Sequence, residues 1–398
     1  MAISSKIESF LQSSSLIRKM FEEGAKLKAI HGVQNVCDFS IGNPDVPPPP
    51  EFQKILEEES LNTDANIHGY MPNAGYLNVR SAIADYINKE QKSNLENKHV
   101  IMTTGAGGAL NVILKSILNP GDEVLVSVPY FVEYKFYCDN HGGILKTVPC
   151  TDDFDIDVDQ FEKSITDKCA AVIINSPNNP SGKIYPEKTL KKFAEVLRKK
   201  SSETGRTIYL ISDEPYRKIV YDGVEVPGIF GIYSESMICT SYSKDLSLPG
   251  ERIGWLAINP SAENCDKIIN AAILCNRILG YVNAPALMQR VVGRLQGVKI
   301  DVNVYKRKRD ALCGILDENG YDYFKPEGTF YLFVKSPDKN ESAFVELLKQ
   351  NLILTVPGSA FGVPGYFRIS YCTDDSYIDK SAEGFKNAMN EFMSGISQ

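Results

Sequence analysis

Lys244 stands beside hydroxyls in Ser241-Tyr242-Ser243-Lys244-Asp245, and Gly250-Glu251-Arg252-Ile253-Gly254 follows closely. Most lysines are solvated surface charges. In a confined site, however, the amine loses its proton and becomes a nucleophile able to form a Schiff base. The apolar Met237-Ile238-Cys239 leads in like a short buried strand, and Ser241 with Arg252 can bind an anion. Alone, the pattern fits an exposed loop lysine equally well.

Three other groups bear on that choice. Thr104-Gly105-Ala106-Gly107-Gly108 lies between an apolar run and a helical pattern. Small residues there let the backbone curl, so that the first N–H groups of the helix face an anion such as phosphate. The stretch matches neither the Walker loop nor the dinucleotide fingerprint, and a plain strand-to-helix turn also explains it. Asn175-Ser176-Pro177-Asn178-Asn179-Pro180-Ser181-Gly182 is a rigid loop whose asparagines offer donors to a phenolic or carboxylate oxygen. Its bland alternative is an ordinary Asn/Pro turn. Asp213-Glu214-Pro215-Tyr216 ends another apolar run. Its Asp and Tyr can address two neighbouring atoms of one aromatic ring, or Asp213 can simply cap a helix.

These groups must be positioned by the elements around them. Val100–Thr103, Glu123–Val128, Ile144–Val148, Ala170–Asn175, Thr207–Ser212, Met237–Thr240 and Ile253–Ile258 are short, β-branched runs bounded by turn residues. Continuous apolarity suits strands buried on both faces, so an α/β domain with a mostly parallel sheet is expected. Ligands of such sheets sit at the carboxyl ends of the strands, where all four groups fall. The N-terminal stretch reads as a helix ending near Gly32. Pro47-Pro48-Pro49-Pro50 reads as a stiff spacer. A long helix is expected from Ala286 to about Leu316, then strands at Phe330–Val334, Leu352–Leu354 and Phe367–Tyr371, with helices at Ser342–Gln350 and Ile378–Met393.

The 398 residues exceed what one compact core usually serves. Hydrophobic content of 43% and charged content of 23% are those of a globular protein. A net charge of −7 argues against a nucleic-acid partner. No apolar run is long enough for a membrane span, and the N-terminus lacks a signal-peptide pattern. Nine scattered cysteines without a Cys-x-x-Cys pair suggest reduced, cytoplasmic thiols. Four histidines without ligand spacing offer no metal site.

A phosphate cradle, an Asp, a Tyr, an Asn and a Lys match the parts of pyridoxal 5′-phosphate. With them, the chain resembles the fold-type I aminotransferases of class I/II, the aspartate aminotransferase superfamily. The resemblance also includes Ile41-Gly42-Asn43-Pro44-Asp45, His68-Gly69-Tyr70 with Gly75, Pro129-Tyr130-Phe131-Val132-Glu133-Tyr134 and Phe367-Arg368-Ile369-Ser370. It implies a large domain (48–285) whose seven-stranded, mostly parallel sheet is sandwiched by helices. A smaller α+β domain would cover 286–398, with 1–47 as an N-terminal arm and part of the small domain.

The resemblance further implies that Lys244 carries the cofactor as a Schiff base and shuttles the proton. Asp213 would pair with the pyridine nitrogen, and Tyr216 and Asn179 with the 3′-oxygen, while Phe131 stacks on the ring. The phosphate would be held by Gly105, Ala106, Gly107, Ser241 and Arg252, and by Tyr70 reaching across a homodimer interface. Arg368, Gly42 and Asn179 would receive the substrate carboxylate, with Ile17 as an apolar lid. Substrates would be an amino acid and a 2-oxo acid in ping-pong order. Carbon–sulfur β-lyases and aminocyclopropane-carboxylate synthases share this framework, as do aminotransferase-like regulators. Related aspartate enzymes often carry a lysine where Gly107 stands, which weakens the case for a dicarboxylate substrate. Arg18 beside Ile17 points the other way, and Tyr130 and Tyr134 fit either an aromatic pocket or simple packing.

Overall fold

The computed structural model describes residues 3–13 and 15–396, with the side chains of 12–22 and 396 outside the described set. Seven strands form one sheet in the order Val100–Thr103, Gly254–Ile258, Ser236–Ser241, Tyr209–Asp213, Cys169–Asn175, Glu123–Ser127, Ile144–Val148. Gly254–Ile258 runs against both its neighbours; the remaining pairings are parallel. Every residue of Cys169–Asn175 and Ser236–Ser241 is buried. That explains their continuous apolarity, since both faces are covered.

Alternation along the strands divides the large core in two. Val172, Ile174, Leu210 and Ile238 face one layer, where the helices Leu77–Gln91 and Glu187–Thr204 pack. Ala171, Ile173, Ile211 and Met237 face the other, packed by Gly105–Ile117 and Cys265–Ile278. This is the period-two geometry of a strand carrying helices above and below.

A three-stranded antiparallel sheet, Val356–Pro357, Tyr366–Ser370 and Tyr331–Lys335, builds a separate core with the helices Val302–Glu318 and Asp375–Ile396. The N-terminal segment joins it. Cys37–Asp38 pairs in parallel with Ile353–Leu354, and Phe39 is fully buried among Phe367, Ile369 and Phe385.

Several elements differ from the sequence expectation. Pro50 is not spacer but the first residue of the helix Pro50–Ser60, where its fixed φ is already helical and its missing N–H costs nothing. The glycine turn is itself helical, because Gly105–Ile117 begins four residues before the expected Ala109. The expected long helix from Ala286 is two helices, Ala286–Gly293 and Val302–Glu318. Gly297 at φ 87° breaks the path, and Asp301 caps the second by accepting from the Asn303 N–H. The first of these packs Met288, Val291 and Val292 into the large core rather than the small one.

Phe39 ties the N-terminal segment to the small core. Phe39→Ala is expected to lower the unfolding free energy by about 3–5 kcal/mol in urea denaturation. A loss under about 1 kcal/mol would show the segment to be dispensable packing.

Candidate active site

Parallel register brings the chemistry together. Asn175 is paired with Asp213, and Asp213 with Cys239, two residues before Ser241. Three neighbouring strands therefore end side by side, with their polar residues at the carboxyl edge. Chain reversals beyond those ends carry Asn179, Tyr216 and Lys244. A cavity of about 390 Å³ opens there. Of the expected site residues, Gly42, Ala106, Gly107, Phe131, Asn179, Asp213, Tyr216, Ser241, Lys244, Arg252 and Arg368 line it.

Asp213 is the most constrained group. Tyr134 donates a 2.6 Å hydrogen bond to Oδ2, while Oδ1 is buried with no partner among the described residues. Burial pushes its carboxyl up from the ordinary 3.8 to about 7, nearby Glu214 adds to this, and the Tyr134 bond opposes it. Asn175 fixes the strand end by donating to the Asp213 carbonyl at 2.8 Å and accepting from the Asn179 N–H at 2.7 Å.

Lys244 Nζ donates to the Gly42 carbonyl at 2.8 Å and lies 5.3 Å from the centre of the Phe330 ring. Burial lowers its pKa to about 8, with the charges of Arg368 and Arg252 acting in the same direction and Cys372 against. The amine is therefore partly neutral near physiological pH, as a nucleophile must be.

Arg368 comes from the small sheet. Its guanidinium lies between the rings of Tyr331 and Phe361, at 4.5 and 4.8 Å. It donates to Asn179 Oδ1 at 3.2 Å and to the Ser40 carbonyl at 2.8 Å, while its Nε is buried without a partner among the described residues. Tyr216 and Tyr331 share a hydroxyl contact at 3.2 Å. Gly42 approaches so closely that a Cβ there would lie 1.8 Å from the Tyr331 hydroxyl oxygen.

The anion end is built by the first turn of Gly105–Ile117 together with Arg252. Gly105 takes φ 77°, and a Cβ on it would press on the Arg252 guanidinium at 3.2 Å. Arg252 itself adopts the left-handed region and donates to the Pro249 carbonyl at 2.9 Å. Helix N–H groups and a guanidinium on one cavity suit a phosphate.

One expected residue is not brought to the cavity, and another falls outside what is described. Tyr70 is 96% exposed and is not among the residues that line the cavity. The Ile17 side chain lies outside the described residues. The sequence reading also left out Tyr331, Phe361 and Tyr137, and had Tyr134 only as lining or packing. Tyr134 was visible in the Pro129–Tyr134 motif, yet its bond to Asp213 spans 79 positions and leaves no local signal.

Residues 34–385 match the family described as aminotransferase class I and II. The aromatic-amino-acid aminotransferase 2 of Thermococcus litoralis is 31% identical, over 98% of this chain and 99% of that protein. The aspartate aminotransferase of Pyrococcus abyssi is 30% identical over the same shares. A crystal structure of an aminotransferase from Eubacterium rectale superposes with a TM-score of 0.94 at 41% identity, covering 98% of this chain and 99% of that one. The chain belongs to the class I and II aminotransferases, within the fold-type I superfamily. It is an aminotransferase acting on amino acid and 2-oxo acid substrates, and pyridoxal phosphate is its cofactor.

Asp213 titrates in the folded protein well above its unfolded value. Its stabilising effect is therefore complete below about pH 4 and lost as pH rises through about 7. In protein stripped of cofactor, Asp213→Asn is expected to flatten the fall in stability between those values, as followed by thermal melts. An unchanged pH profile would contradict the raised carboxyl.

Proposed function

We propose that this cavity carries out transamination with Lys244 as covalent anchor and proton carrier. One observation supports this most. Two buried groups of opposite charge, Asp213 and Arg368, each keep one atom without a partner among the described residues, and both line one cavity with a lysine whose pKa is about 8. The residues fit pyridoxal phosphate. Asp213 Oδ1 suits a protonated ring nitrogen, the Gly105–Gly107 turn with Ser241 and Arg252 suits the phosphate, and Tyr216 with Asn179 suits the ring hydroxyl.

Bound pyridoxal phosphate supplies a carbonyl carbon for covalent attachment of amines and a ring that withdraws electrons from the substrate α-carbon. Asp213 keeps the ring nitrogen protonated, because an ionised carboxylate at this buried position is stable only beside a positive partner. Phe131, which lines the cavity, would cover a face of the ring. Arg368 binds the α-carboxylate through its free Nε and is held in place by Tyr331 and Phe361. The Gly42 backbone approaches the same carboxylate. Lys244 Nζ, lining the cavity with a lowered pKa, would take up and hand back the proton of the substrate α-carbon, so one atom would serve both half-reactions.

Ile41, Leu110, Val132, Val356, Phe361 and the half-buried Glu133 also line the cavity. Apolar walls beside a carboxylate favour an amino donor with an uncharged side chain. Aromatic and aspartate activities both appear in the names of relatives. Exposed Tyr70 fits a role on the partner's phosphate across a homodimer interface, and Ile17 a role as lid. The proposed domains are 48–285 and 286–398, with 1–47 as arm; Leu295 packing with the large core and Ile300 with the small supports a change of core near this boundary. No helix among the described residues is long and apolar enough to cross a membrane. Nine free cysteines suit a reducing cytoplasm.

Borohydride is expected to fix the cofactor on Lys244, detected by mass spectrometry, and Lys244→Ala to retain none. Label on another lysine would overturn the assignment. With a panel of amino donors and 2-oxoglutarate, donors with uncharged side chains should lead aspartate. Arg368→Ala should weaken all donors by roughly 10- to 100-fold. A loss confined to acidic donors would contradict its α-carboxylate role.

A further inference from the structure

Tyr137 lies in the cavity without a role in the reading above. It belongs to the seven-residue helix Glu133–Asp139, whose faces divide cleanly. Tyr134 and Cys138, one turn apart, are fully buried, while Glu133 and Tyr137, also one turn apart, line the cavity. Two independent features locate the Tyr137 hydroxyl. It stands 2.9 Å from the point where a Cβ on Gly107 would lie, directly over the first turn of the phosphate-facing helix. Its side chain is half-buried and lines the cavity, and its hydroxyl makes no hydrogen bond within the described residues.

A side chain at position 107 and the hydroxyl at position 137 thus compete for the same space. The chain fills it from the tyrosine. We propose that Tyr137 is a ligand of the cofactor phosphate, donating its phenolic hydrogen to a phosphate oxygen held at Ala106, Gly107 and Arg252. The proposal rests on pyridoxal phosphate occupying this cavity. It assigns to this subunit a phosphate donor additional to the one expected from the partner.

The electrostatic setting agrees. Burial, then Glu133 and Asp213, push the Tyr137 phenol up to about 12, and Arg252 draws it back. The group keeps its proton at physiological pH and acts as a donor, which is what a doubly charged phosphate accepts. Hydrogen bonds to charged groups are the stronger class. Glycine at 107 follows: any Cβ there presses on the phenolic oxygen, whereas the backbone at 107 has no positive φ that demands glycine. The spatial requirement comes from Tyr137, not from the turn.

The test compares cofactor binding with and without the phosphate. Dissociation constants are measured for pyridoxal phosphate and for pyridoxal on stripped wild-type protein and on Tyr137→Phe, by absorbance titration. Tyr137→Phe keeps the ring and removes only the hydroxyl. Pyridoxal phosphate should weaken roughly tenfold, with pyridoxal unchanged. Equal affinities for pyridoxal phosphate in the two proteins, or equal losses for both ligands, would overturn the proposal. Failure of the wild-type protein to bind either ligand would instead defeat the cofactor reading itself. A second comparison guards against an indirect effect. Gly107→Ala should weaken pyridoxal phosphate in the wild-type background and do so less in the Tyr137→Phe background, because the oxygen it strikes is gone. The same loss in both backgrounds would contradict the shared space.

Discussion

A carboxylate held at the buried carboxyl end of the strand Tyr209–Asp213, with one oxygen uncompensated, sets the terms for everything around it. Moving the Asp213 carboxyl from its ordinary value to about 7 corresponds to roughly 4 kcal/mol. The fold tolerates that cost because Tyr134 binds one oxygen and Asn175 fixes the backbone beside it. The other oxygen has no such partner. A protonated ring nitrogen would meet that need, and the proposed cofactor role of Asp213 rests on this uncompensated oxygen.

The other two charged groups share this logic. Lys244 is buried until its amine is easily neutral, and Arg368 is clamped between two rings with one donor free. Each comes from a different part of the chain: Asp213 from the central sheet, Lys244 from the reversal after Ser236–Ser241, Arg368 from the small sheet. The Gly42 segment, which pairs with the small core, closes against Lys244 through its carbonyl. The site therefore spans both cores, and its geometry depends on how they meet.

Much of this was legible because fully buried strands read as unbroken apolar runs, with the polar residues stranded at their ends. Asp213, Asn179, Ser241 and Lys244 follow such runs directly. Pairings made across the fold left no local trace. Tyr134 meets Asp213, Tyr331 meets both Tyr216 and Arg368, and Tyr137 meets Gly107 only after the helix Glu133–Asp139 has docked. Helix limits were hidden where glycine had two meanings. Gly105–Gly108 looked like a turn but forms the first turn of a helix, while Gly293 and Gly297 sat inside an apparently continuous helical pattern. Pro50 likewise read as part of a spacer although it opens a helix. Tyr70 is exposed, so a single chain carries no contact that defines its role.

The central claim concerns the ionisation of Asp213, and infrared difference spectroscopy of wild-type protein against Asp213→Asn reports it directly. In protein stripped of cofactor, the carboxyl band should titrate with a midpoint near 7. On addition of pyridoxal phosphate it should become the carboxylate band at all pH values above about 5, as the ring nitrogen provides the missing charge. A midpoint near 4 in the stripped protein, or a protonated carboxyl persisting with the cofactor bound, would contradict the account.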